Sequence, residues 1–241
     1  MRVRFDRSLA ARLPCRSPRA RWCARAAATL ALGLAAVGSH AAPVTGELQL
    51  AGVFNLSSAG LDFSPTGGGT GSFFVLAGTG TFASLVGTMG TVLDVAPGVA
   101  VNSNLLSFAA APGVHFDSTA LLPASFDSAL CFSPAAAGQT CSPPGSAVNL
   151  VNLSANASTL SIAGTGVFVS ALGETTPYVG VLTTQFANLS YQQLLATVAG
   201  GGTVTASYSV TLAPVPEPAS WALGLAGLAV VAGLARRRAR R

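Results

Sequence analysis

Between Ala42 and Pro214 the chain has no lysine and no arginine. Its thirteen basic residues are arginines, eight within residues 1–25 and five within 236–241. The span between carries Glu47, Asp62, Asp94, Asp117, Asp127 and Glu174, so its net charge is −6 (0 − 6). The overall +5 and the pI near 9.6 are therefore properties of the two ends. Phosphate contacts need Lys or Arg to release counterions, so nucleic-acid binding by this span is excluded. The same absence excludes gripping a phosphorylated substrate through arginine forks.

Catalytic equipment is equally scarce. The span holds one histidine, in Val114-His115-Phe116-Asp117. A triad would join His115 to Asp117 or Asp127 and a serine, but no Gly-x-Ser-x-Gly elbow is present. Asp117 and Asp127 as a glycosidic acid/base pair are indistinguishable by spacing from turn-capping aspartates. No His/Cys/Asp/Glu cluster has metal spacing, and no cofactor is expected. Gly78-Thr79-Gly80 lacks the rest of a dinucleotide fingerprint. The expectation is a protein that is not an enzyme. Four Asn-x-Ser sequons, at Asn55, Asn152, Asn156 and Asn188, carry no weight in a chain so rich in Asn and Ser.

The N-terminus carries eight arginines, then apolar Ala26–Val37, then Gly38-Ser39-His40-Ala41. Basic region, apolar core and small residues make a secretory signal peptide, with cleavage between Ala41 and Ala42. An apolar run of about a dozen residues is short for a transmembrane anchor. Cys15 and Cys23 leave with that segment. Cys131 and Cys141 remain in an oxidising compartment, where a disulfide is favoured over free thiols.

At the other end Pro216 and Pro218 stiffen an extended stretch around Glu217. Trp221 to Ala235 is uncharged, with Leu223, Leu225, Leu228, Val230, Val231 and Leu234. Fifteen helical residues span roughly 22 Å, short for a hydrocarbon core of about 30 Å. Arg236, Arg237, Arg238, Arg240 and Arg241 follow and should stay cytoplasmic, stopping the segment. An ordinary membrane tail or a buried helix are the plainer readings; the arginines and prolines argue against the second. The three parts together resemble the PEP-CTERM sorting signal, with the motif on Pro216, Glu217 and Pro218. The resemblance implies cutting near the motif by an exosortase, after an inner-membrane transit form. It also implies delivery to the outer surface or extracellular matrix of a Gram-negative bacterium, commonly beside exopolysaccharide in biofilm. Looser similarity to the bodies of such proteins lies in Thr45–Phe54, Leu61-Asp62-Phe63, Gly164-Thr165-Gly166, a Thr176-Pro177 turn and Thr203–Leu212.

The organisation expected is residues 1–41 as signal peptide, 42–213 as β-rich body and 214–241 as sorting signal. Short runs in the body, broken by Gly, Pro, Asn and Ser, read as strands and turns. Strands are expected at 45–56, 71–77, 80–86, 90–95, 105–110, 114–118, 129–132, 148–153, 158–163, 166–170, 178–188 and 203–212. A short helix is expected at 192–198. In 203–212, Val204, Ala206, Tyr208, Val210 and Leu212 share one parity and hence one face. So many strands without a long helix predict an all-β antiparallel sandwich or jelly-roll-like body, with a β-solenoid as the alternative. Residues 77–87 echo 163–173 at seven of eleven positions, which suggests two equivalent strand-turn-strand units or chance repetition.

Two functions remain. One is an exported, non-catalytic surface or biofilm-matrix protein whose partners are signal peptidase, exosortase, the membrane and exopolysaccharide. The other is a carbohydrate-binding or carbohydrate-active extracellular protein, with calcium on aspartates a variant of it.

Overall fold

The computed structural model describes residues 43–64, 69–99, 101–215, 224–232 and 236. All belong to one compact unit, Ala42–Arg241. Eleven strands appear among them: β1 (Leu48–Ser57), β2 (Gly60–Phe63), β3 (Thr70–Gly78), β4 (Met89–Leu93), β5 (Asn102–Phe108), β6 (His115–Leu121), β7 (Thr140–Cys141), β8 (Val148–Ser154), β9 (Ala157–Val169), β10 (Thr175–Phe186) and β11 (Val204–Pro214). Gly80–Leu85 is a 3₁₀ helix and Tyr191–Ala199 is α1.

The strands run antiparallel in the order β10-β11-β1-β3-β4-β5-β6-β9, and β9 pairs again with β10. Those eight strands are therefore a closed barrel. The sandwich and the solenoid expected from the sequence are both replaced. The reason is strand length: β9 and β10, thirteen and twelve residues long, pair from Thr175–Val169 to Phe186–Ser158 and leave no open edge there. A sequence read in short runs had cut β9 in two at Gly164-Thr165.

Two long strands fork. β1 gives Leu48–Gly52 to β3 and Phe54–Ser57 to β2. β9 gives Gly164–Val169 to β6 and its earlier half, Ala157–Ile162, to β8. β8 in turn carries the short strand β7. Past the forks β2 and β8 diverge and α1 packs near β8, β9 and β11. Ser190 caps α1 with a capping box closed by Gln193, which is why the helix begins where it does. Buried Asn152 ties it to β8: its Oδ1 accepts from Tyr191 N at 2.9 Å and its Nδ2 donates to Gln192 Oε1 at 2.9 Å.

One end of the barrel is filled with aromatic rings. Phe82, on the 3₁₀ helix, lies 4.8 Å from Phe168 and 6.1 Å from Tyr178 between centroids, and Phe168 is 5.0 Å from Phe116. Residues 45–47 bond back to 79–81: Thr45 N donates to Thr81 Oγ1 and Glu47 N to Thr79 Oγ1. Tyr178 Oη donates to Gly46 O at 2.8 Å. These bonds pair the backbone and hydroxyl groups of 45–47 and 79–81 with one another, while Thr176 Oγ1, on β10 opposite Phe168, is buried without a partner.

Several local expectations change. Residues 80–86 are a 3₁₀ helix and turn, and 129–132 is a turn. The 77–87 and 163–173 echo is therefore not a pair of equivalent units, since one copy bends where the other stays a strand. Thr176-Pro177 lies inside β10, opposite Phe168 and Val167, and is no turn. β2 and β7 had no counterpart in the sequence reading.

The expected C-terminal transmembrane helix is not supported. Residues 224–232 are helical and exposed, but among the described residues no helix is long and apolar enough to cross a membrane. Trp221, Leu223 and Leu234 lie outside the described residues.

Candidate functional site

Alternation places one set of side chains inside the barrel. Across the wall, inner row follows inner row: Gly52 pairs with Tyr208, Tyr208 with Thr184, Thr184 with Leu160, Leu160 with Leu150 and Leu150 with Cys141. Cys131 and Cys141, both buried, are joined by a disulfide with Cα atoms 5.0 Å apart. It anchors the 128–134 turns to β7 and, through Leu150, to the buried core.

Glycines make room for the rings. Phe73 covers Gly90, Phe116 covers Gly166, and the Tyr208 hydroxyl stands 2.7 Å from where a Cβ on Gly52 would be. Each ring occupies the volume that its glycine vacates. Gly164 and Gly180 face each other across β9 and β10 with no ring over them. Beside them lies a cavity of about 130 Å³, lined chiefly by Leu105, Phe116, Ile162, Leu182, Val210 and Leu212. No charged side chain lines it. Tyr208 is a wall residue, and its buried hydroxyl has no hydrogen-bond partner. Burial pushes its pKa up; the same cause raises that of Tyr178 to about 12.

The cavity adjoins a wider cleft of about 830 Å³, and Leu61, Val95, Leu121 and Ile162 border both. Leu56, Leu122, Val148 and Val198 line the outer part. This is the end at which β2 and β8 diverge, opposite the aromatic closure.

The outer face of the long strands is different. A shallow trough of about 610 Å³ runs over β1, β11, β10 and β9, lined by Ala51, Ser207, Ser209, Thr183, Gln185 and Ser161 among others, none charged. A cross-strand hydroxyl pair lies within it: Thr183 Oγ1 and Ser209 Oγ are 2.9 Å apart.

The candidate catalytic groups lie elsewhere. His115 Nε2 is 3.6 Å from Asp117 Oδ1 on the outer face of β6. That carboxylate also accepts from Asn104 N at 2.7 Å, holding a β5 bulge whose Asn104 has φ 54°. Asp127 Oδ1 accepts from Ala129 N at 2.9 Å, a local turn cap. Neither aspartate nor His115 borders the three concavities. Among the described residues no group of three His, Cys, Asp or Glu could hold a metal. Asn152 of one sequon is 1 % exposed with its amide engaged, so the folded chain cannot present it for glycosylation.

Of the expected processing residues, Ala41, Ala42, Pro216, Glu217, Pro218, Arg237, Arg238, Arg240 and Arg241 lie outside the described residues. Leu225, Leu228, Val230, Val231 and Arg236 are exposed helical positions. The cavity was missed by sequence reading. Its signal is the pair of glycines at inner parity: Gly164, in the gap between the strands expected at 158–163 and 166–170, and Gly180, inside the strand expected at 178–188.

No curated protein and no solved structure matches the chain. Residues 214–241 match the family model described as the PEP-CTERM protein-sorting motif.

Proposed function

Since the chain carries a PEP-CTERM protein-sorting motif at residues 214–241, which directs it to export and exosortase sorting toward the cell surface, we propose that the barrel is the cargo of that route: a non-catalytic surface or biofilm-matrix protein. The match at 214–241 is the observation that carries the reading. Trp221 to Ala235 serves as a temporary membrane segment, with the arginines behind it on the cytoplasmic side. Signal peptidase acts at Ala41 and Ala42, and exosortase near Pro216-Glu217-Pro218. The final location is the outer surface or matrix of a Gram-negative cell.

The body's surface chemistry supports exopolysaccharide as its neighbour. The trough over β1, β11, β10 and β9 offers Ser and Thr hydroxyls, the Gln185 amide and no charge. Such a face can exchange hydrogen bonds with neutral sugars without desolvating a charge. The second reading, a glycan-binding or glycan-cleaving protein, draws on the same trough. Fractionation of the native host decides. The protein should appear in the surface or matrix fraction and release on polysaccharide digestion. Confinement to the cytosol overturns the reading. Turnover of a polysaccharide by the purified exported form moves it to the enzyme class.

A further inference from the structure

We propose that the barrel interior is a binding site for an uncharged alkyl or acyl chain, inserted end first from the cleft between β2 and β8. An eight-stranded barrel encloses a space that side chains either fill or leave for one small ligand. Here one half is filled, by Phe82, Phe108, Phe168 and Tyr178, and the other is not. The unfilled half lies where Gly164 and Gly180 pair and contribute no side chain.

Volume fits the end of a chain. At about 130 Å³ the cavity approaches the roughly 150 Å³ at which a dry apolar cavity takes up benzene. Shape sets the direction of entry. The aromatic end is packed with rings, and at the other end Leu61, Val95, Leu121 and Ile162 are shared with the larger apolar cleft, so entry from that cleft displaces these side chains alone. An occupant longer than the cavity would place its remainder against Leu56, Leu122, Val148 and Val198. Ile162, Leu182 and Val210 point inward yet are only partly buried, so they keep apolar surface that a chain would cover.

Charge selects the head group. The span from Ala42 to Pro214 has no lysine or arginine and carries −6, so nothing holds a carboxylate or phosphate at the mouth. A fatty-acid anion or a phospholipid is disfavoured; an alcohol or ester is suited. Ser118, Thr165 and Tyr208 are the polar residues of the wall, and the Tyr208 hydroxyl is buried with no partner.

The test uses the exported protein purified without detergent, with n-decanol and decanoate at neutral pH as probes. n-Decanol should bind one to one and raise the Tm, and decanoate should bind at least tenfold more weakly. Val210→Phe, which fills the cavity from its wall, should lower n-decanol affinity at least tenfold. Leu182→Phe is the second filling variant, should the first fail to fold. Wild-type protein with no saturable n-decanol binding overturns the proposal. So does a folded filling variant that still binds as wild type, or decanoate binding as tightly as n-decanol. None of these outcomes bears on the sorting route, which rests on the tail.

Discussion

The rings of Phe82 and Phe168 meet with centroids 4.8 Å apart, one from a 3₁₀ helix and one from the C-terminal end of a wall strand. They occupy equivalent places in the echoed segments Gly78-Thr79-Gly80-Thr81-Phe82 and Gly164-Thr165-Gly166-Val167-Phe168. Near-identical sequences thus deliver the same side chain to one spot by different backbone routes. The difference follows from neighbours: the second copy has β6 and β10 on its two edges, while the first runs out past β3 and curls inward. Phe82 is fully buried, so Phe82→Ala should cost about 3–5 kcal/mol, from lost transfer energy and the cavity left behind. Urea unfolding measures it. A loss below about 1 kcal/mol would mean that this end is not packed as described.

The rings over glycines give a sharper test of packing. Alanine at Gly90 or Gly166 would collide with Phe73 or Phe116 and with the neighbouring backbone. Each substitution should destabilise by roughly 1–3 kcal/mol, the usual range for overpacking. Ser161→Ala on the outer trough should stay within about 0.5 kcal/mol. Equal effects at inner and outer sites would contradict the assignment of faces.

How much of this was legible beforehand depended on whether the information was local. The alternation of Val204, Ala206, Tyr208, Val210 and Leu212 is local, and Ala206, Tyr208 and Leu212 are indeed buried. The helix near Gln192–Val198 was legible from its unbroken run, and Ser190 and Gln193 extend it by one residue at its start. Closure was not legible, because it rests on β9 pairing β10 past an interior Gly164-Thr165-Gly166 that reads as a break. Sequence reading also could not tell Asp117 the catalyst from Asp117 the clamp on Asn104, a partner thirteen residues away across a bulge.

All three tyrosines, Tyr178, Tyr191 and Tyr208, are buried and have raised pKa values. A raised folded value means that the native state holds the proton longer, so the stabilisation is complete below the unfolded value of about 10. It is lost as pH rises through about 12, the folded value of Tyr178. Stability should be insensitive to these groups near neutrality and fall between those limits. Tyrosinate absorbance of the folded protein should lag that of protein in urea. Titration of a native tyrosine at its ordinary value would contradict the burial.

The Cys131–Cys141 bond closes a short loop, for which the chain-entropy model gives about 3 kcal/mol. Replacing both cysteines by serine should lower stability by about that much. Mass measurement of the exported protein with and without reductant checks that the bond forms in the cell. Thiols that alkylate without reduction would show that it does not.

The last prediction concerns the tail. Every basic residue after residue 25 lies beyond the apolar run, and β11 ends at Pro214, immediately before the matched segment's own motif. Val215 N donates to Pro177 O at 3.0 Å, the last described backbone bond before Pro216. The barrel is thus complete before the motif, and cutting after it removes no strand. If the tail is a sorting signal, replacing Pro216-Glu217-Pro218 with alanines should leave uncut chain in the inner membrane. Loss of the host's exosortase should do the same, with the thermal stability of the body unchanged. If the tail is only an anchor, the full-length form persists in the membrane fraction whether or not the sorting system is intact. Normal arrival at the surface in both altered strains would overturn the sorting role of this segment.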